Sequence, residues 1–276
     1  MIALQTTQIR ISQRGDPRVA PYVSIRERDL TGGSDGRFIV EGKVPLAILL
    51  RQSRFQLESL FLCESRLGPL AGLLAEVPAE IPVYVAPQGV LDEIAGFHVH
   101  RGVLACAFKG PGLELSEVLA APAETVQTVL VLNQISNHDN VGAAFRNAAA
   151  FGVDAVLLDR QSCDPLYRKA IRVSSGTSLW LPYVQQGAGS DHITELQSAG
   201  FTVWAMTPRL EARPLNSLTI PDKVALVLGA EGPGLSDTLI SAAQPVRIAM
   251  RAGFDSVNVA TAGAIALAHI FARRAG

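Results

Sequence analysis

The hydrophobic pattern divides the chain into two stretches of alternating strands and helices. Residues 128–132 (TVLVL) form an almost wholly apolar run of strand length, as expected for a parallel strand covered on both faces. The run enters a polar turn, residues 133–140 (NQISNHDN), which is followed by a helix over 141–151 and a second apolar strand over 154–158. A helix over 193–199 and a strand over 201–206 repeat the unit. A strand over 224–228 then enters the glycine-rich turn 229–234 (GAEGPG), and a short strand over 246–250 leads through 256–259 (SVNV) into a long alanine-rich helix. Strands alternating with helices predict an α/β fold with a parallel, doubly wound sheet over residues 128–276. Ligands bind at the carboxyl ends of such strands, so residues 223–274 and 133–151 are the two halves of a predicted site.

Upstream the texture differs. Residues 1–36 are charged and glycine-rich and are expected to form an N-terminal arm, with a short helix over 26–30 running into the turn 31–36. From residue 37 to 110 the pattern predicts a smaller α/β module, with strands over 38–42, 57–63, 82–87 and 103–108 and helices over 43–53 and 67–75. Residues 111–127, rich in Ala, Pro and Glu, are expected to be a linker.

Composition narrows the function classes. The chain has 276 residues, 48% of them hydrophobic, which is ample for two cores. Its net charge of −1 gives no overall basic field, so any nucleic-acid surface has to be a local patch. Cys63, Cys106 and Cys163 are odd in number and without a CxxC pair, which predicts inert reduced thiols in a cytoplasmic protein and neither a disulfide frame nor a zinc site. Residues 1–16 carry no apolar core of signal-peptide type. The apolar stretch 260–272 is too short to span a bilayer.

The candidate site residues each have a plain structural reading. The turn 229–234 lacks the Lys-Ser/Thr of a P-loop, and its glycines are spaced GxxGxG, so tight packing alone could account for them. Glu231 inside that turn could not be explained so, since a charged side chain contributes nothing to packing. Arg146 is a lone cation among small apolar residues of a helix, a setting that lets another chain or a ligand approach. Asn140 directly precedes the predicted helix, so an N-cap role alone could account for it. His138 and His269 have no partner at metal spacing, so no metal is expected.

Taken together, the motifs carry a resemblance. Residues 133–158 (N-x6-N-x-G-x3-R-x4-FG-x-DAVLL), 226–236 (LVLGAEGPGLS) and 247–267 (RIAM-x5-SVNVATAGAIAL) resemble, in order, the three motifs of the SpoU family of SPOUT methyltransferases. Residues 172–182 are similar to that family's RxSxG-to-Pro segment. FIVEG at 38–42 and HRGVLA at 100–105 resemble its N-terminal substrate-binding domain, which is similar to ribosomal proteins that hold bent RNA. The resemblance covers roughly residues 22–273. It implies transfer of a methyl group from S-adenosyl-L-methionine to a ribose 2′-hydroxyl of rRNA or tRNA, a deep trefoil knot in the C-terminal segment, and a homodimer whose interface completes each site. Carried over residue by residue, it implies cofactor contacts, mainly through backbone, from Gly229, Ile248 and Val257 with Leu228 and Ala230. It makes Arg146 the catalytic arginine, with Asn140, Glu231, Ser256 and Asn258 around the reacting groups. Val257 stands where the family commonly has leucine.

The chemistry bears on the proton. A sulfonium donor already activates its methyl group, so the protein has to align an oxygen and dispose of the hydroxyl proton. Arginine holds its proton to above pH 12, and a neutral guanidine at pH 7 costs roughly 7–9 kcal/mol. Arg146 is therefore expected to stabilise negative charge, leaving the proton to Glu231 or water. RNA phosphates are expected to meet Arg101, Arg168, Lys169 and Arg172, with Arg51 and Arg54 nearby candidates. Two other classes stand beside this reading. A catalytically inactive RNA-binding protein of the same fold has no need of the full Asn140, Arg146, Glu231 and Asn258 set. A nucleotide-dependent oxidoreductase needs a glycine-rich first turn, which 133–140 is not.

Overall fold

The computed structural model describes residues 8–25, 36–120 and 125–275; the predicted helix over 26–30 lies outside them. By contacts the chain divides into two units, Met1–Pro111 with Leu166–Trp180, and Gly112–Pro165 with Leu181–Gly276. Residues 166–180, which the strand–helix alternation leaves in the second module, thus pack with the first.

The first unit is built on a five-stranded mixed sheet. Its strands are β1 (Gln8–Arg10), β2 (Arg37–Glu41), β3 (Gln56–Cys63), β4 (Val83–Ala86) and β5 (Val103–Phe108), in the order β1-β4-β3-β5-β2. β4 pairs parallel with β1 and β3, whereas β5 is antiparallel to β3 and β2. Helices α1 (Lys43–Arg51) and α2 (Gln88–Ala95) belong to the same unit. Within the expected arm, the described residues 8–25 are folded into this unit. Residues 8–25 supply β1 and a 3-10 turn at Pro17–Tyr22, and Tyr22 is fully buried, with its hydroxyl donating to the Ser59 carbonyl at 2.8 Å. A three-residue strand is too short to show a period, which is why the pattern passed over it. The helix expected over 67–75 shrinks to one turn at Ala71–Leu74, because Pro69 has no N–H to continue a helix from the 3-10 turn Glu64–Arg66.

Among its described residues the second unit carries seven strands: β6 (Gln127–Leu132), β7 (Ala155–Leu158), β8 (Tyr183–Gln185), β9 (Thr202–Met206), β10 (Arg213–Pro214), β11 (Lys223–Leu228) and β12 (Gln244–Arg247). Their order is β10-β12-β9-β11-β6-β7-β8, and every pairing is parallel, as the sequence pattern predicted. The helices are α3 (His138–Ala150), α4 (Gly189–Ser198), α5 (Asp237–Ala242) and α6 (Val259–Ala275). One face of the sheet packs Val129, Val131, Ala225 and Val227 against Ile193, Leu196 and Leu239. Leu115 belongs to the same core, so part of the expected linker is folded into this unit, with Glu114 and Glu117 closing a capping box around it.

Helices α3 and α6 lie together, tied by the Asn147 amide donating to the Ala260 carbonyl at 3.0 Å. Gly263 permits close approach of α6 to the sheet, since a Cβ there would lie 2.8 Å from Leu228 Cδ1. At the far end of α6, Arg274 bonds Thr128 Oγ1 at 2.5 Å and the carbonyls of Pro221 and Asp222 at 2.8 Å. That helix is pinned to the entering ends of β6 and β11. The pairing Leu228↔Leu132 brings the leaving ends of the same strands level, so the glycine-rich turn and the polar turn 133–140 emerge side by side.

Candidate active site

A pocket of about 440 Å³ opens where β9, β11 and β12 end, within the size range of small-molecule sites. All five residues expected at a cofactor, Leu228, Gly229, Ala230, Ile248 and Val257, line it, as do Glu231, Ser256 and Asn258. Gly229 is required for its shape. A Cβ at this position would meet the Leu235 backbone nitrogen at 2.5 Å and the Gly234 carbonyl carbon at 2.6 Å. The turn itself closes with Gly234 N–H donating to the Ala230 carbonyl at 3.0 Å, and Gly232 and Gly234 take φ of +85° and +69°. The pocket therefore presents bare backbone on one side and apolar chains such as Leu228, Ile248 and Met250 on the others.

At one edge of this pocket three polar side chains converge. Asn140 Nδ2 donates to Glu231 Oε1 at 2.5 Å, and Asn258 Nδ2 donates to the same oxygen at 3.1 Å and to Asn140 Oδ1 at 3.0 Å. The orientation of every amide is fixed by the backbone. Asn258 Oδ1 accepts from the N–H groups of Ala260 (2.9 Å) and Thr261 (3.3 Å), capping α6, so its Nδ2 must face Glu231 and Asn140. That in turn leaves Asn140 its Oδ1 for Asn258 and its Nδ2 for Glu231. Two amide donors hold Oε1, and among the described residues Oε2 carries no hydrogen bond. The carboxylate is aimed and half of it is available.

Asn140 does not cap its helix. Helix α3 starts at His138, and Asn137 is the cap, accepting from Asp139 N–H at 2.9 Å. Asn140 sits in the first turn with its side chain released for the site. Arg146 is not brought to this cluster within the chain. At 100° per residue it points about 120° away from Asn140 around α3. It is exposed and, among the described residues, makes no hydrogen bond or ion pair.

Sequence reasoning missed the wall formed by Met206, Thr207, Pro208 and Arg209. They end β9 and follow it, and only the strand order, which sets β9 between β11 and β12, shows that they face the same crevice. Arg209 is ion-paired with Asp237 at the start of α5.

The four expected RNA-binding cations separate. Arg101 and Arg172 are exposed, and Lys169 is half-buried. Arg101 lies over Gly42, where a Cβ would meet its Cδ at 2.8 Å. Arg168 is half-buried, ion-paired with the buried Glu41 and stacked over the Phe97 ring at 4.4 Å, so its charge also has a structural role within the first unit. Of the two nearby candidates, Arg51 pairs with Glu76 (Nε to Oε2 2.7 Å), and Arg54 donates to the Pro111 carbonyl at 3.1 Å. Cys63, Cys106 and Cys163 are free thiols, and burial pushes the Cys163 pKa up to about 12. Among the described residues no cluster of His, Cys, Asp or Glu could hold a metal, and no helix is long and apolar enough to cross a membrane.

Residues 127–268, which hold the whole pocket and the Asn140–Glu231–Asn258 cluster, match the SpoU rRNA Methylase family. The chain belongs to that family. An uncharacterised tRNA/rRNA methyltransferase of Mycobacterium tuberculosis is 39% identical over 259 residues, 91% of this chain and 87% of that protein. A 23S rRNA (guanosine-2′-O-)-methyltransferase of Pseudomonas aeruginosa is 30% identical over 85% of this chain and 96% of its own. Among solved structures, an RNA 2′-O ribose methyltransferase superposes with a TM-score of 0.77 at 25% identity, covering 97% of this chain and all of the other. An AdoMet-bound rRNA methyltransferase from Sinorhizobium meliloti gives 0.77 at 21% identity, over 97% and 98% of the two chains.

Proposed function

We propose that this SpoU methylase transfers a methyl group from S-adenosyl-L-methionine to a ribose 2′-hydroxyl of rRNA or tRNA. The observation that carries the reading is Glu231, held by two amides at the edge of a pocket of cofactor size. When bound, S-adenosyl-L-methionine supplies an electrophilic methyl group. The chain's own residues supply alignment and a proton acceptor. The bare backbone at Gly229 and Ala230 and the apolar chains of Leu228, Ile248 and Val257 suit a flat heterocycle and a ribose. Asn140 and Asn258 fix Glu231, whose second oxygen is left to accept the proton of a substrate hydroxyl. Ser256 lines the same edge and can donate to the ribose. Arg146 stabilises the negative charge that develops on the attacking oxygen.

Because Arg146 points away from the cluster of its own chain, the reading includes a homodimer in which this arginine serves the partner's site. Ile265 and Phe271 support it: they are 40% and 48% exposed on α6, the helix packed beside α3. A trefoil knot in the C-terminal segment is part of the same reading. Its support is the close passage of the C-terminal helix at Gly263 against Leu228. Arg101 and Arg172, with Lys169, are the proposed phosphate contacts of the first unit.

The test is transfer of labelled methyl from S-adenosyl-L-methionine to rRNA and tRNA from cells lacking the protein, followed by mass spectrometry of nucleosides. A single 2′-O-methylated nucleotide is expected. Methylation on a base would overturn the ribose assignment.

A further inference from the structure

Among the described residues that line the pocket, Arg209 is the one cation and Glu231 the one anion. Glu231 is engaged by Asn140 and Asn258. Among the described residues the Arg209 side chain is engaged by Asp237 alone, and that partner sits in water: the two side chains are 42% and 83% exposed. An ion pair of this exposure contributes little stability and is easily exchanged. A guanidinium prefers a planar carboxylate that it can grip with two N–H groups in a partly dry setting. A ligand with an amino-acid end brings such a carboxylate into the pocket, and no other lining residue can neutralise it.

Resting on the cofactor reading above, we infer that Arg209 recognises the α-carboxylate of the bound cofactor, and that Asp237 competes for it as a built-in stand-in when the pocket is empty. Asp237 then sets affinity from outside the pocket. Binding of an amino-acid-bearing nucleoside breaks the Arg209–Asp237 pair and forms Arg209–ligand contacts in its place, so the strength of one pair subtracts from the other. Release of the demethylated product, which keeps the same carboxylate, is helped by the return of Asp237.

Calorimetric titration with two nucleosides tests this without any turnover. S-adenosylhomocysteine has the amino-acid end, and 5′-methylthioadenosine lacks it. Arg209→Ala is expected to weaken S-adenosylhomocysteine by about tenfold or more while 5′-methylthioadenosine stays within about twofold, and Asp237→Asn to tighten only S-adenosylhomocysteine, by a few-fold. Equal weakening of both ligands by Arg209→Ala would make Arg209 a wall of the pocket and overturn the inference. An unchanged affinity for both would overturn it too, and a loss confined to RNA binding would assign the cation to a phosphate. If the wild-type protein bound neither nucleoside, the cofactor reading itself would fall, an outcome distinct from these.

Discussion

Asn140 and Glu231 lie 91 residues apart in the chain and share a 2.5 Å hydrogen bond. Removing either end disturbs a different part of the same function. Glu231→Gln keeps the shape but takes away the proton acceptor, and kcat/KM should fall about 10²- to 10⁴-fold. Asn140→Ala, which loosens the carboxylate without removing it, should cost less than Glu231→Gln. A kcat/KM unchanged by Glu231→Gln would hand the proton to another group.

Asn258 does two things, and they separate by substitution. Asn258→Asp retains the oxygen that caps α6, so the melting temperature should barely move, yet it sets a carboxylate against Glu231 and should abolish transfer. Asn258→Ala loses the cap as well and should cost about 1 kcal/mol of stability in addition. Equal melting temperatures for the two variants would count against the capping role.

At Gly229 and Gly263 an added methyl group has different consequences. Gly229→Ala drives a Cβ into backbone of Gly234 and Leu235 that cannot step aside, so nucleoside binding should vanish and stability fall by about 1–3 kcal/mol. Gly263→Ala meets the end of the Leu228 side chain, which can rotate, and should be the milder change by thermal melting.

Arg168 and Arg172 should behave oppositely. Arg168→Ala leaves Glu41 buried without a partner, and a loss of about 3–5 kcal/mol is expected, seen as an early melting transition. Arg172→Ala should leave melting unchanged, weaken RNA binding, and lower the salt dependence of that binding by about one phosphate contact.

His192 on α4 makes stability depend on pH. Burial pushes its pKa down, more than the Glu195 and Asp159 carboxylates and the Gln186 backbone pull it up. The unfolded chain thus takes up a proton near the ordinary histidine value of about 6.5 while the folded protein does not. Stability is full above that pH and declines as pH falls below it, by at most about 1.4 kcal/mol per pH unit for this one group. Denaturant titrations at several pH values should show the decline, and His192→Gln should flatten it.

Much of this was readable before any coordinates. The apolar run 128–132 became β6 with one residue added, and the glycine-rich turn stands where β11 leaves the sheet. What the pattern could not carry was relative placement. Three asparagines occur in the turn 133–140, each a good cap, and spacing alone does not say which one caps and which one reaches Glu231. The wall at Met206–Arg209 needed the order of the strands, a long-range property. Arg168 looked like any surface cation because Glu41, its partner, lies 127 residues away.

Helix α6 is anchored at both ends, by Asn258 beside Glu231 and by Arg274 at the entering ends of β6 and β11. This has a consequence for biosynthesis. A nascent chain halted before Asn258 can assemble the strands of the second unit, yet Glu231 then lacks one of its two amide clasps and the sheet lacks its strut. Competence for chemistry therefore waits until Asn258 and the helix that follows it have been made.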